Sequence, residues 1–339
     1  MKTDNVRNIE ALGFQWKARD PFLFCVHHED YFPEGKDNLG PDPSLLKGRN
    51  IGQDFTVKNG WRMYHGQHVP GFPSHPHRGF ETVTVVRKGL VDHTDSMKAA
   101  GRYGNGDVQW MTAGKGIQHA EMFPLVNQRK ENTMELFQIW LNLPRKSKMV
   151  EPYFKMFWAA SIPNYKHTDE NGKAALVEII AGKIEEHLAP TPPPDSWAAM
   201  PENEVAIWNI NMEAGATFTL PKASEGTNRT IYFYEGEALT VGDAKIPSYH
   251  MAELTPNAAL TIQAVSGDCS ILMLQGRPIG EPVVQYGPFV MNTRQEIQET
   301  YDEFQQTQFG GWPWPTNEPT HGNKGRFALH ADGRMETGE

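Results

Sequence analysis

The sequence predicts an all-β protein of two tandem barrel or sandwich domains, with one short helix near its C-terminal end. Three observations carry this. A chain of 339 residues exceeds what a single hydrophobic core ordinarily organises. Short runs rich in β-branched and aromatic residues recur between turn residues, and 31 glycines and 25 prolines supply those turns. The layout also repeats, with a glycine-bearing hairpin after VTVVRKG in the first half and at IYFYEGE in the second.

In chain order, the stretch from Phe22 to Gly71 is loop-rich and includes the polar FPEGKDNLGPDPSLLKG. Strands are expected at TVTVVRKG, LVDHTDSM, GDVQWMTAG and MELFQIWLNLP. The polar run Asn164–Lys173 is the expected boundary, giving a first domain over 1–163 and a second over 174–311. The second strand series is LVEIIAGKI, EVAIWNIN, TFTLP, RTIYFYEGEALTVG, ALTIQAV and CSILMLQG, with the proline-rich Ala189–Trp197 segment as a stiff loop inside it. Thr293 with Glu296 three residues on forms a capping box, Ile297, Tyr301 and Phe304 make one apolar helix face, and Gly310 and Gly311 stop the helix. That helix is assigned to the second domain. Residues 312–339 show no periodicity and read as a tail that is loosely ordered or draped over the surface.

Composition narrows the function. A formal charge of −9 argues against binding nucleic acid or an anionic membrane through a broad basic face. No stretch is long and apolar enough to span a bilayer, and the N-terminal residues contain no apolar leader core, so a cytoplasmic location is expected. Cys25 and Cys269 have no partner at metal-binding spacing, which places the chemistry elsewhere.

That chemistry lies in histidine. His75 and His77 flank Pro76, and residues two apart on a strand point the same way, so both imidazoles can meet one ion. Such a pair alone is more often a surface feature. His119 and Glu121 repeat the spacing on a later strand, and three imidazoles with one carboxylate are far more specific than either pair. This donor set suits Fe(II), Mn(II), Ni(II), Cu(II) or Zn(II), and a closed structural zinc site is the non-catalytic alternative. Glu81 faces the same side as His75 and His77 if the strand runs on regularly, either supporting the ligands or serving structure. His65 and His68 read as loop residues, and His93 and Asp95 as a solvated hairpin tip. Trp110 and Met111 read as barrel packing. In FQIWLNL, Phe137, Ile139 and Leu141 share one face while Gln138, Trp140 and Asn142 share the other, and one of these faces lines the interior. His187 and His250 stand alone, so no metal is expected in the second domain.

The wording of the motifs goes further. GFPSHPHRGFETVTVV, GDVQWMTAGKGIQHAEMF, FQIWLNLP and EPVVQYGPFVMNT together resemble the pirin family, from about Asp20 to Gly310. The resemblance implies a bicupin, two tandem jelly-roll β-barrels of which only the first binds metal. It implies His75, His77, His119 and Glu121 as ligands and iron(II) as the ion. It also implies a dioxygenase that cleaves flavonols such as quercetin with O2, Glu121 taking the substrate proton. A redox-sensing regulator that binds a partner protein is the second role the family allows. The sequence departs from the family pattern in a longer 32–72 segment and in the tail beyond Gly311, and both bear on access to the metal.

Overall fold

Strand-forming runs pair antiparallel throughout the computed structural model, which describes residues 5–338. Backbone contacts gather them into two units, neither continuous in sequence. One comprises residues 27–139, 145–159 and 281–338, and the other 5–26, 140–144 and 160–280. No helix is long and apolar enough to cross a membrane.

The first unit contains a six-stranded sheet in the order Met335–Thr337, Phe327–Leu329, Ala100–Gly104, Leu90–Asp95, Ile117–Met122 and Gly71–His77. A second sheet runs through Tyr153–Phe157, Val108–Thr112, Phe80–Lys88 and Asn132–Asn142. Val91, Tyr103 and Ile117 from the one share a core with Val86, Met111 and Leu136 from the other. Inner faces of two sheets that pool their side chains in this way make a β-sandwich closed toward a barrel. The 32–72 segment joins that core through Trp61, Met63 and Tyr64.

In the second unit a seven-stranded sheet is ordered Val6–Ala11, His250–Leu254, Asn228–Glu235, Cys269–Gly276, Ala206–Met212, Ala174–Ala181 and Asn164–Thr168. A four-stranded sheet, Thr217–Leu220, Leu260–Ser266, Ala238–Val241 and Ala244–Pro247, shares its core through Phe218, Ile262 and Leu239. Two double-sheet β units and one α-helix therefore make up the framework of the described chain, as the sequence predicts.

Three expectations change. The run assigned as a boundary is an edge strand, Asn164–Thr168, paired with Ala174–Ala181. Polar side chains on an edge strand face solvent, and this disguises the alternation. The helix, Arg294–Thr307, forms with its capping box as read, but it belongs to the first unit. Its apolar face meets Phe289 and Phe309 rather than the second core. The tail is ordered. Phe327–Leu329 pairs with Ala100–Gly104, and Met335–Thr337 extends the sheet. Arg102 grips Asp92 through two nitrogens while donating to the Gly322 and Lys324 carbonyls. Strands of three residues are too short to show a period-two pattern.

Two glycines make room for the 281–338 segment. A Cβ on Gly79 (φ +85°) would lie 2.0 Å from the Val290 carbonyl oxygen, and one on Gly116 (φ +135°) would lie 2.7 Å from the Phe309 ring. Only glycine permits both the backbone angle and the approach.

Candidate metal centre

Gly71–His77 is the edge of its sheet, where Pro76 removes no needed ladder bond. It pairs with Ile117–Met122 so that His75 lies opposite His119 and His77 opposite Ile117, with a bulge between Phe72 and His75. Opposed residues share a face, so the register alone sets His75, His77 and His119 together on the inside. Each offers a ring nitrogen, and the three nitrogens lie within 4.8 Å of one another. Ring centroids are 4.5–4.9 Å apart.

Hydrogen bonds fix which nitrogens carry the protons. His75 Nδ1 sits 2.8 Å from the Pro73 carbonyl oxygen, and His77 Nδ1 sits 3.4 Å from that of Pro288. A carbonyl only accepts, so each Nδ1 carries the proton and each Nε2 keeps its lone pair for an ion. His119 is completely buried, and neither of its ring nitrogens has a hydrogen-bond partner among the described residues. A polar group orphaned in a core is costly, and an ion bound at the ring nitrogen removes that cost. The residues present fit a metal.

Electrostatics agree. Burial lowers His75 to about 4 and holds His77 and His119 well below the usual imidazole range, with the neighbouring histidines adding to the effect. All three are neutral at pH 7, as ligation requires.

Glu121 stands beside this cluster rather than within it. Its Oε2 is 3.8 Å from His119 Nε2, and it accepts hydrogen bonds from Gln138 Nε2 at 2.7 Å and Thr84 Oγ1 at 3.2 Å. Burial raises its pKa, opposed by His93, Gln138 and Thr84. Gln138 thus identifies the inward face of FQIWLNL at this point.

Glu81 is not brought to the histidines by strand continuity. The strand ends at His77, the chain turns at Arg78–Gly79, and Glu81 lies on Phe80–Lys88 in the other sheet. There it is fully buried and accepts a 2.6 Å hydrogen bond from Thr112 Oγ1. Trp110 and Met111 are completely buried, as packing residues should be. His65 bonds the Gly52 carbonyl, and His68 is largely exposed beside Glu318.

His93 and Asp95 are not at a solvated tip. Both are buried on Leu90–Asp95, with His93 opposite Glu121 and Asp95 opposite His119. His93 Nε2 is 3.1 Å from Asp95 Oδ2, and its ring centroid is 5.6 Å from that of His119. The signal was available in the sequence, since His93 and Asp95 repeat the i, i+2 spacing of the two candidate pairs.

Comparison with known proteins places this geometry. Residues 5–141 match the family model described as Pirin, and residues 207–310 match the Pirin C-terminal cupin domain. A Pseudomonas aeruginosa protein named "Putative quercetin 2,3-dioxygenase" is 36% identical over 241 residues, covering 70% of this chain and 79% of that protein. A "Pirin-like protein" of Caulobacter vibrioides is 35% identical over 242 residues, covering 71% of this chain and 82% of its own. A solved structure of a quercetin 2,3-dioxygenase from Acinetobacter baumannii superposes with a TM-score of 0.70 at 27% identity, covering 90% of this chain and 98% of that one. With both domain models matched and relatives above 30% identity along most of its length, the chain belongs to the pirin family.

Proposed function

We propose that this protein is a metal-dependent dioxygenase that cleaves flavonols such as quercetin, with iron(II) as its resident ion. The observation that carries the reading is the triad His75, His77 and His119, with both ring nitrogens of the buried His119 lacking a hydrogen-bond partner among the described residues and a carboxylate beside it. Names carried by relatives support the substrate class. His75, His77 and His119 would hold the ion, and Glu121 is the fourth candidate ligand. The bound ion would supply Lewis acidity toward an oxyanion and a place for O2.

The chain's own residues then do four things. Carbonyls of Pro73 and Pro288 keep the Nε2 lone pairs of His75 and His77 aimed inward. Glu121, with its pKa raised by burial, takes the enolic proton of a flavonol onto its carboxylate as general base. Thr84 and Gln138 hold that carboxylate in place. Phe72 and Phe80 flank His75 and His77 and keep water from the reacting face.

The test is anaerobic loading with each candidate metal to one ion per chain, followed by oxygen uptake with quercetin. Turnover with iron that Glu121→Gln reduces roughly 100-fold or more supports the reading. No oxygen uptake from fully loaded protein with any of iron, manganese, nickel or copper overturns it, and tightly held zinc in protein purified without added metal would point to a structural site.

A further inference from the structure

The second unit contains a cavity of about 670 Å³, within the roughly 300–1,000 Å³ of small-molecule sites. Strand register builds one wall. Ala206 lies opposite Gln275 and Gln275 opposite Arg229, so these three share the inner face of the seven-stranded sheet with Trp208, two residues beyond Ala206. Phe218 from the four-stranded sheet and the proline-rich loop at Ala189–Pro192 complete the lining.

Two polar groups in this lining are incomplete. Arg229 is 3% exposed, and its Nε and Nη2 donate to Gln275 Oε1 and Nη2 also to the Pro221 carbonyl. Its Nη1 has no hydrogen-bond partner among the described residues, and no carboxylate there forms an ion pair with it. Glu204, the acid that influences it most, directs its carboxylate to Ser224 and Thr227. Trp208 is 2% exposed, and its Nε1 also lacks a partner among the described residues. A buried guanidinium without a counter-charge is costly to hold in a core, and a second orphaned donor in the same lining adds to that. At the rim, Lys183 and Lys222 are balanced by Glu185 and Glu204. The surplus is therefore one positive charge at the apolar base, which matches a monoanion rather than a phosphate dianion.

We propose that the second unit binds a small aromatic carboxylate, its carboxylate on Arg229 and its ring against Trp208 and Phe218. The site is independent of the metal centre and of the reaction assigned to it.

The test is calorimetric titration of 1-naphthoate into metal-loaded full-length protein, with 1-naphthalenemethanol as the uncharged control. One molecule per chain should bind in both the unaltered protein and the His119→Ala variant, so that metal coordination is not what is read. The alcohol should bind roughly tenfold more weakly or worse. Arg229→Gln should weaken naphthoate by a similar factor. Trp208→Phe, which keeps an aromatic ring and removes only the N–H, should weaken it several-fold and keeps the test valid if the arginine variant fails to fold. Equal binding of acid and alcohol, binding that disappears in His119→Ala, unchanged affinity in Trp208→Phe, or no binding at about 1 mM would each overturn the proposal.

Discussion

His119 shows how a functional residue and a stabilising one can oppose each other. Without an ion, its two buried nitrogens lack partners, so the side chain burdens the fold it belongs to. Replacing it by leucine removes the orphaned donor and acceptor while keeping most of the volume. We expect the metal-free His119→Leu protein to match or exceed the unaltered protein in urea unfolding by about 1 kcal/mol, while its metal content falls below a tenth of an ion per chain by elemental analysis. Substantial loss of metal-free stability would contradict this account. The histidines also set a pH dependence. Burial lowers His28 to about 3 and His75 to about 4, both below the ordinary 6.5. Between roughly pH 3 and 6.5 the unfolded chain therefore binds more protons than the folded one, so stability rises with pH across that window. It is fully present above 6.5 and lost as pH falls through the folded values. Thermal melts of metal-free protein from pH 7 to 4 should show a progressive fall in Tm. The candidate ligand pairs were legible because each is local, two residues apart on one strand. His93 carries the same spacing but follows a glycine turn, and only the pairing of Leu90–Asp95 with Ile117–Met122 shows that it is buried.

Among the elements, the hairpin of Val284–Tyr286 and Phe289–Met291 was least visible in advance, although its sequence helped to indicate the family. Its work is done across the chain: Val290 N donates to the Arg78 carbonyl, and Pro288 accepts from His77. Lys148, buried with its pKa lowered by burial to about 8, donates to the carbonyls of Gly79 at 2.7 Å and Val290 at 3.1 Å and so ties the hairpin to the turn after His77. Arg78 secures the following helix through Glu303 and lies over the Phe309 ring. No local pattern announces a contact between residues more than two hundred positions apart. Lys148→Met should lower stability by about 2–3 kcal/mol by leaving two buried carbonyls short of a donor. It should also weaken metal affinity roughly tenfold by loosening the carbonyl that orients His77. Chelator competition and urea unfolding measure the two effects. An unchanged metal affinity would show that the hairpin does not position His77.

For the whole molecule, the fold class was legible and the partition of the chain was not. Alternating apolar runs indicate strands and their number, but not which sheet a distant strand joins. Val6–Ala11 pairs with His250–Leu254, while Phe327–Leu329 joins the sheet that holds His75 and His119. A protein shortened to end at residue 280 keeps all four candidate ligands, yet it lacks the hairpin, the helix and two strands of their unit. It should bind less than a tenth of the metal held by the longer chain, by elemental analysis of the soluble fraction. Full metal content in that fraction would show the first barrel to be self-sufficient.

The hydrogen bond from His77 to Pro288 also imposes an order in time. His119 is synthesised 169 residues before Pro288, counting 288 minus 119. At ribosomal speeds of roughly 5–20 residues per second, the three imidazoles exist for about 8–34 s before the carbonyl that orients one of them is made. During that interval His77 lacks the carbonyl that holds its Nδ1 proton in the finished barrel. The finished barrel, with the His77 ring orientation fixed, takes shape only after the later segment has been translated.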